Sequence, residues 1–307
     1  MGRRASIPLV LLFFTTVTLD ISAAIAATAA NAQADGRAPQ NAVVTPTRPT
    51  TVAASGQEPK QAAPPSGQVA GPQNGALLLC SLSSPEIRDE FFKLAGGRQA
   101  KIVMVVNQVP AGADAGPSAA KAWGVREVTF WRFTDRKSAE NQSLLAALAR
   151  ATGVWISGGK PTEYLAPLLD SPAHRELAKL LARGGIIGGE SAGAMIQSTF
   201  VALPPSAPYA GPALEGLGFA RNLVIFPHFN GASGKFPGEF CQRLLTDHPG
   251  LAGLALPDGS AVIVRGQSVE VMGKGHVDLM LRAKDGTVST TTHDSASRFA
   301  LPEGLQR

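Results

Sequence analysis

Residues 189–193 read Gly-Glu-Ser-Ala-Gly, directly after an apolar run and directly before a helix-like segment. A serine between two glycines at a strand-to-helix turn is the pattern of a nucleophile elbow, whose tight turn lifts the hydroxyl clear of the sheet. The glycines let neighbouring backbones approach. The amide of Ala192, one residue past Ser191, would face a developing oxyanion at the start of the helix. The chemistry expected of such a serine is acyl transfer through an ester on its own oxygen.

A serine needs a base, and the chain has five histidines. His174 belongs to a helix start ahead of the serine. His248 lies in "DHPG", a helix end where an imidazole can cap carbonyls. His276 follows "GKG" in a C-terminal hairpin, and His293 lies in a polar stretch. His228, in "LVIFPHFNG", follows an apolar strand and is the best candidate, with a buried packing role as its alternative. The one acid between Ser191 and His228 is Glu215, in "PALEGLGF". It reads either as the third member of a triad or as a solvent-facing loop glutamate. Glu190, next to the serine, is placed for a local hydrogen bond. The loop "SGGKP" at 157–161 offers Gly159 as a second oxyanion amide and Lys160 as an attractor of an anionic substrate group. It reads equally as a plain strand-to-helix turn.

The elements that would position these groups are legible as an alternation. Short apolar runs at 76–81, 101–106, 127–133, 153–156, 185–188 and 223–226 are separated by amphipathic segments with helix starts and stops, among them "SPEIRDEFFKLAGG", "SAENQSLLAALARATG" and "HRELAKLLARGG". That is the signature of an α/β fold, a mostly parallel sheet with helices on both faces, with ligand sites at the carboxyl ends of the strands. Two alternating runs around Arg265-Gly266-Gln267 predict a C-terminal hairpin.

The 307 residues are not uniform. Residues 1–32 carry Arg3 and Arg4, an apolar run at 7–19 and then small residues. This is the pattern of a secretory signal, with cleavage after Ala26 or Ala32. An uncleaved anchor is the alternative, although the run is shorter than the ~20 residues of a spanning helix. Residues 33–74 are rich in Ala, Pro, Gln and Thr and read as a disordered linker. Residues 75–285 form the expected domain and 286–307 a polar tail. Export to the periplasm or the extracellular space follows, with no stable membrane domain after signal cleavage. The net charge of +5 and pI of 9.4 come from scattered Lys and Arg, not from a basic stripe, so nucleic acid is not expected as a partner. Cys80 and Cys241 are the only cysteines and form either one disulfide or two buried thiols. No metal-ligand spacing is present, and neither metal nor cofactor is expected.

These residues resemble the peptidase S51 family, the cyanophycinase and aspartyl-dipeptidase group, whose fold is similar to class I glutamine amidotransferases. The resemblance runs through "FFKLAGGRQAKIVMV", "ATGVWISGGKPTEYL", "GGESAGAMI", "LVIFPHF" and the run from Cys241 to Met280. It implies Ser191 as nucleophile, His228 as general base, and amides around Gly159 and Ala192 as the oxyanion hole of a serine exopeptidase or amidase. It also implies a small peptide or isopeptide substrate with an aspartyl-type residue at the cleaved bond, and leaves a homodimer open. The chain departs from the family pattern at Phe226-Pro227, where the family has Asp-Gln, at Lys160-Pro161, where it has Asp/Asn-Gln, and in the "NGASGK" loop. Two other readings stand beside it. One is a catalytically impaired relative that binds a peptide. The other is an α/β-hydrolase-type esterase using Asp258 and His276.

Overall fold

The structure is a computed structural model and describes residues 68, 70–112, 114–207, 213–230 and 234–303. The signal-like segment and nearly all of the linker lie outside the described residues. Among the described residues no helix is long and apolar enough to cross a membrane.

The chain builds two main sheets. In the larger, β1 (Ala76–Cys80), β5 (Ile186–Glu190), β4 (Gly153–Ile156), β2 (Lys101–Val105) and β3 (Glu127–Trp131) lie side by side in that order, all parallel. Beyond β1 the sheet continues antiparallel through β10 (Ser260–Arg265), β11 (Ser268–Gly273) and β14 (Arg298–Ala300). The parallel strands are apolar on both sides because both faces are covered. Leu78, Ile102, Trp155 and Ile186 pack under α1 (Pro85–Leu94) and α2 (Ala115–Trp123), through Ile87, Phe91, Ala119 and Ala120. Leu77, Leu79, Val103, Val154 and Ile187 face the other core, shared with α3 (Gln142–Arg150), α4 (Pro161–Leu168) and α5 (Pro172–Ala182). Truncating one such leucine to alanine would cost about 2–5 kcal/mol.

Local sequence sets the helix starts. Ser84 caps α1 by accepting the Ile87 amide, and Ser171 caps α5 by accepting that of His174. The segment expected to begin a helix at Ser138 differs. Ser138 closes a capping box with Asp135 over a single 3-10 turn, and α3 starts only at Asn141, whose side chain accepts the amides of Ser143 and Leu144.

The second sheet is new relative to the sequence reading. β8 (Leu223–Pro227), expected as a further strand of the one mostly parallel sheet, pairs instead in parallel with β9 (Ala252–Leu256), followed by β12 (His276–Arg282) and β13 (Val288–Asp294). α7 (Gly238–Asp247) adds Cys241 and Leu245 to its core. A small ribbon of β6 (Phe200–Val201) and β7 (Leu214–Glu215) follows α6 (Ala192–Met195). Both cysteines are free and buried, so the disulfide alternative is set aside. The expected boundaries also need correction. The stretch read as a polar tail supplies β13 and β14, and Leu301 behind them is buried. On the other side, Ala70 bridges to Arg221 and Gly71 donates to the Gly266 carbonyl, so the ordered part begins before residue 75.

Candidate active site

Ser191 sits at φ 51° and ψ −114°, a region that non-glycine residues avoid, and its amide donates to the Cys80 carbonyl at 2.9 Å. Holding a serine there costs of order 1–3 kcal/mol, which the surrounding packing must offset. The flanking glycines are dictated by that packing. A methyl on Gly193 would stand 2.1 Å from the Ile156 carbonyl oxygen, and one on Gly189 would stand 2.3 Å from that of Gly193. The first turn of α6 is thus pressed against the ends of β4 and β5, and Ser191 is left standing at the carboxyl edge of the sheet.

His228 follows β8 and also has positive φ, 55°. Its Nε2 lies 2.8 Å from Ser191 Oγ, and its Nδ1 lies 2.7 Å from Oδ1 of Asp258. The neutral ring that satisfies both neighbours carries its proton on Nδ1 and accepts the serine hydroxyl at Nε2. The backbone is fixed by Ser81, a buried residue just past β1. Its hydroxyl accepts the His228 amide at 2.8 Å and donates to the Leu256 carbonyl at the end of β9. Because β8 and β9 run parallel, with Pro227 opposite Leu256, the chain leaves both strands side by side. The turn Pro257-Asp258-Gly259 then delivers the carboxylate to the imidazole on its way to β10. Burial chiefly, and the charge of Lys235 next, lower the His228 pKa below its ordinary value, against the raising effects of Asp258 and Glu190. The ring is therefore a free base at neutral pH.

The loop after β4 supplies the other wall. The Gly158 carbonyl accepts from Asn107 Nδ2 at 2.5 Å, and the Tyr164 hydroxyl divides its one proton between Asn107 Oδ1 at 2.9 Å and this carbonyl at 3.1 Å. A trans peptide directs its N–H opposite to its C=O, so this grip turns the Gly159 amide away from Asn107. A methyl on Gly158 would lie 3.5 Å from Ser191 Cβ, and one on Gly159 would lie 3.0 Å from the Asn107 amide, so only glycine fits comfortably at the second position. Burial above all pushes the Tyr164 hydroxyl up to about 12, so it stays a neutral donor. Lys160 Nζ is paired with Glu163 at 2.8 Å.

Ser191 and His228 therefore meet, and the loop of Gly158 and Gly159 borders the serine on another side. Glu215 does not join them. It lies in β7 opposite Phe200, where its charge acts on His174. The carboxylate behind His228 is Asp258, which the sequence reading had weighed only together with His276. That pairing is corrected as well, since His276 is exposed at the start of β12, opposite Asp294. The order serine, histidine, acid also differs from the serine, acid, histidine order of α/β-hydrolases. The remaining histidines are structural. His174 bonds the Asp170 amide and the Leu217 carbonyl, His248 packs on Phe200, and His293 stacks on Phe299. The signal that could have found Asp258 is the Pro-Asp-Gly turn closing the apolar run 251–256. Among the described residues no cluster of His, Cys, Asp and Glu is placed to hold a metal.

The sequence model of Peptidase family S51 matches residues 121–272. Cyanophycinase from Synechococcus elongatus is 29% identical over 168 residues, covering 51% of this chain and 50% of that protein. The chain thus spans about half the length of that relative. Cyanophycinase from Trichormus variabilis is 26% identical over 220 residues, covering 68% of this chain and 71% of that protein. The crystal structure of a peptidase from an acI-B1 Actinobacterium superposes with a TM-score of 0.59 at 20% identity, covering 77% of this chain and 99% of that one. At that identity the likeness is one of fold.

Proposed function

We propose that the chain is a divergent member of peptidase family S51 and, on that premise, an exported serine exopeptidase or amidase that cleaves a small peptide or isopeptide through an acyl-enzyme on Ser191. The observation that carries this reading is the single imidazole of His228 joining the Ser191 hydroxyl at 2.8 Å to the Asp258 carboxylate at 2.7 Å. In the reaction, Ser191 Oγ attacks the carbonyl carbon as its proton passes to Nε2. The amides of Gly159 and Ala192 receive the oxyanion. Collapse of the adduct breaks the C–N bond, and the imidazolium returns the proton to the leaving amine. Water then repeats the sequence to release the acid. Asp258 holds the Nδ1 proton in place throughout.

The cyanophycinase relatives support an aspartyl-type residue beside the cleaved bond. The departures at Phe226 and Pro227 support a substrate other than cyanophycin itself, because Phe226 is fully buried against Phe236 and has no polar group to offer. Export rests on the charged, apolar and small-residue pattern of residues 1–32. No nucleic acid is needed as a partner, and a homodimer is compatible with the reading.

The test is labelling of the mature protein with a neutral fluorophosphonate, compared with Ser191→Ala. Labelling of the wild type alone is the expected result, and loss of the serine should lower turnover by about 10³-fold or more. Equal labelling of both would overturn the assignment and leave a peptide-binding relative in its place.

A further inference from the structure

Glu190 closes β5 immediately before Ser191, and its carboxylate spans the carboxyl edge of the sheet between the loops after β1 and β4. Oε2 accepts the Ser83 amide at 3.1 Å. Oε1 faces Gly158, where an added methyl would stand 3.5 Å from that oxygen and 3.5 Å from Ser191 Cβ. The carboxylate and the nucleophile therefore border the same small space. Its charge acts on His228, Tyr164 and Cys80. No Lys or Arg forms an ion pair with Glu190 among the described residues: Lys160 is paired with Glu163. The carboxylate is half-buried and keeps acceptor capacity beyond the one amide it binds, because an ionised carboxyl has about four acceptor sites.

We propose that Glu190 selects a substrate carrying an ammonium group beside the acyl carbon that Ser191 attacks. This rests on the reading of Ser191 as the nucleophile. A cation at that place would complete the acceptor capacity of Oε1, and an anionic group there would meet a like charge. Two chemical sources fit: the free α-ammonium of an amino-terminal residue, or a basic side chain on the acyl residue. The first agrees with exopeptidase action on an aspartyl unit, whose own carboxylate would have to lie away from Glu190.

The experiment compares labelling rates of Ser191 by phosphonate fluorides that differ only in charge. One pair carries a free α-amine or its N-acetyl form on a neutral side chain, and the other carries N-acetyl lysyl or N-acetyl norleucyl groups. In the wild type, one cationic probe should react about tenfold or more faster than its neutral partner, the worth of a hydrogen bond to a charged group. The pair that shows the ratio identifies the source. In Glu190→Gln that ratio should fall toward one. Ratios near one for both pairs in the wild type would overturn the proposal without any variant, and so would a ratio that persists in Glu190→Gln. If no probe labels the wild type above Ser191→Ala, the nucleophile assignment itself fails, a result distinct from the other two.

Discussion

Ser191 and His228 stand 2.8 Å apart, yet they are held by regions of opposite construction. The serine belongs to the parallel core, where Gly189 and Gly193 allow contacts that no methyl could enter and the neighbouring backbone is buried. The histidine and its acid stand on two turns beyond a second sheet. The His228 backbone is tied down by the Ser81 hydroxyl and the Lys235 amide, and the Asp258 side chain is 55% exposed. The serine is thus placed by shape and the histidine by a few polar links. Disturbing the first should damage fold and catalysis together, whereas disturbing the second should damage catalysis alone.

Gly193→Ala is the strongest way to break that contrast. Its methyl must displace Ile156 or the elbow, at about 1–3 kcal/mol of overpacking and a melting temperature lower by about 2–10 °C. Misplacement of the serine should lower kcat by about 10²-fold as well. Asp258→Asn should lower kcat by about 10²-fold while leaving the melting curve where it was. The loss is smaller than the ~10⁴-fold known for buried triad acids because solvent already screens this carboxylate. Glu215→Gln, made as its control, should leave kcat within about twofold. If Glu215→Gln and Asp258→Asn exchange these effects, the geometric assignment of the acid is wrong.

Tyr164→Phe sharpens the comparison on the oxyanion side. It removes the hydroxyl that steadies both Asn107 and the Gly158 carbonyl, worth ~1 kcal/mol net, and should lower kcat about fivefold with KM little changed. The smallest effect is a shift in pH dependence. In the proposed mechanism neutral His228 is the active form, so kcat/KM should be complete at neutral pH and fall on acidification, with a midpoint below the ordinary 6.5. Lys235→Ala removes a charge that lowers this pKa and should move the acid limb to higher pH. Asp258→Asn removes the groups' raising partner and should move it to lower pH. A pH–rate profile of each variant reads the sign directly.

What was legible in the sequence follows the same division. The elbow could be read because everything that makes it is local: an apolar strand, two glycines at fixed spacing and a helix. His228 could be read because it ends an apolar strand. Asp258 could not, since it lies in a turn where aspartate is an ordinary turn former. Its relation to His228 depends on β8 pairing with β9 in parallel, a contact written nowhere near either residue. Glu215 was favoured by its place between serine and histidine, but a triad is an arrangement in space and not an order in the chain. The threonine-rich 288–294 read as a polar tail because an edge strand exposed on most positions lacks apolar alternation. Its β-branched residues nevertheless suit a pleated edge.

Those last strands have a consequence for handling the protein. β14 covers the outer side of β11, and β13 covers that of β12, so each sheet's final row of backbone amides and carbonyls is capped by the last twenty or so residues. A chain trimmed after residue 285 would keep its serine, histidine and aspartate but present two raw sheet edges to its neighbours. Unpaired edges of that kind recruit strands from other molecules, so self-association is the expected fate of the shortened chain.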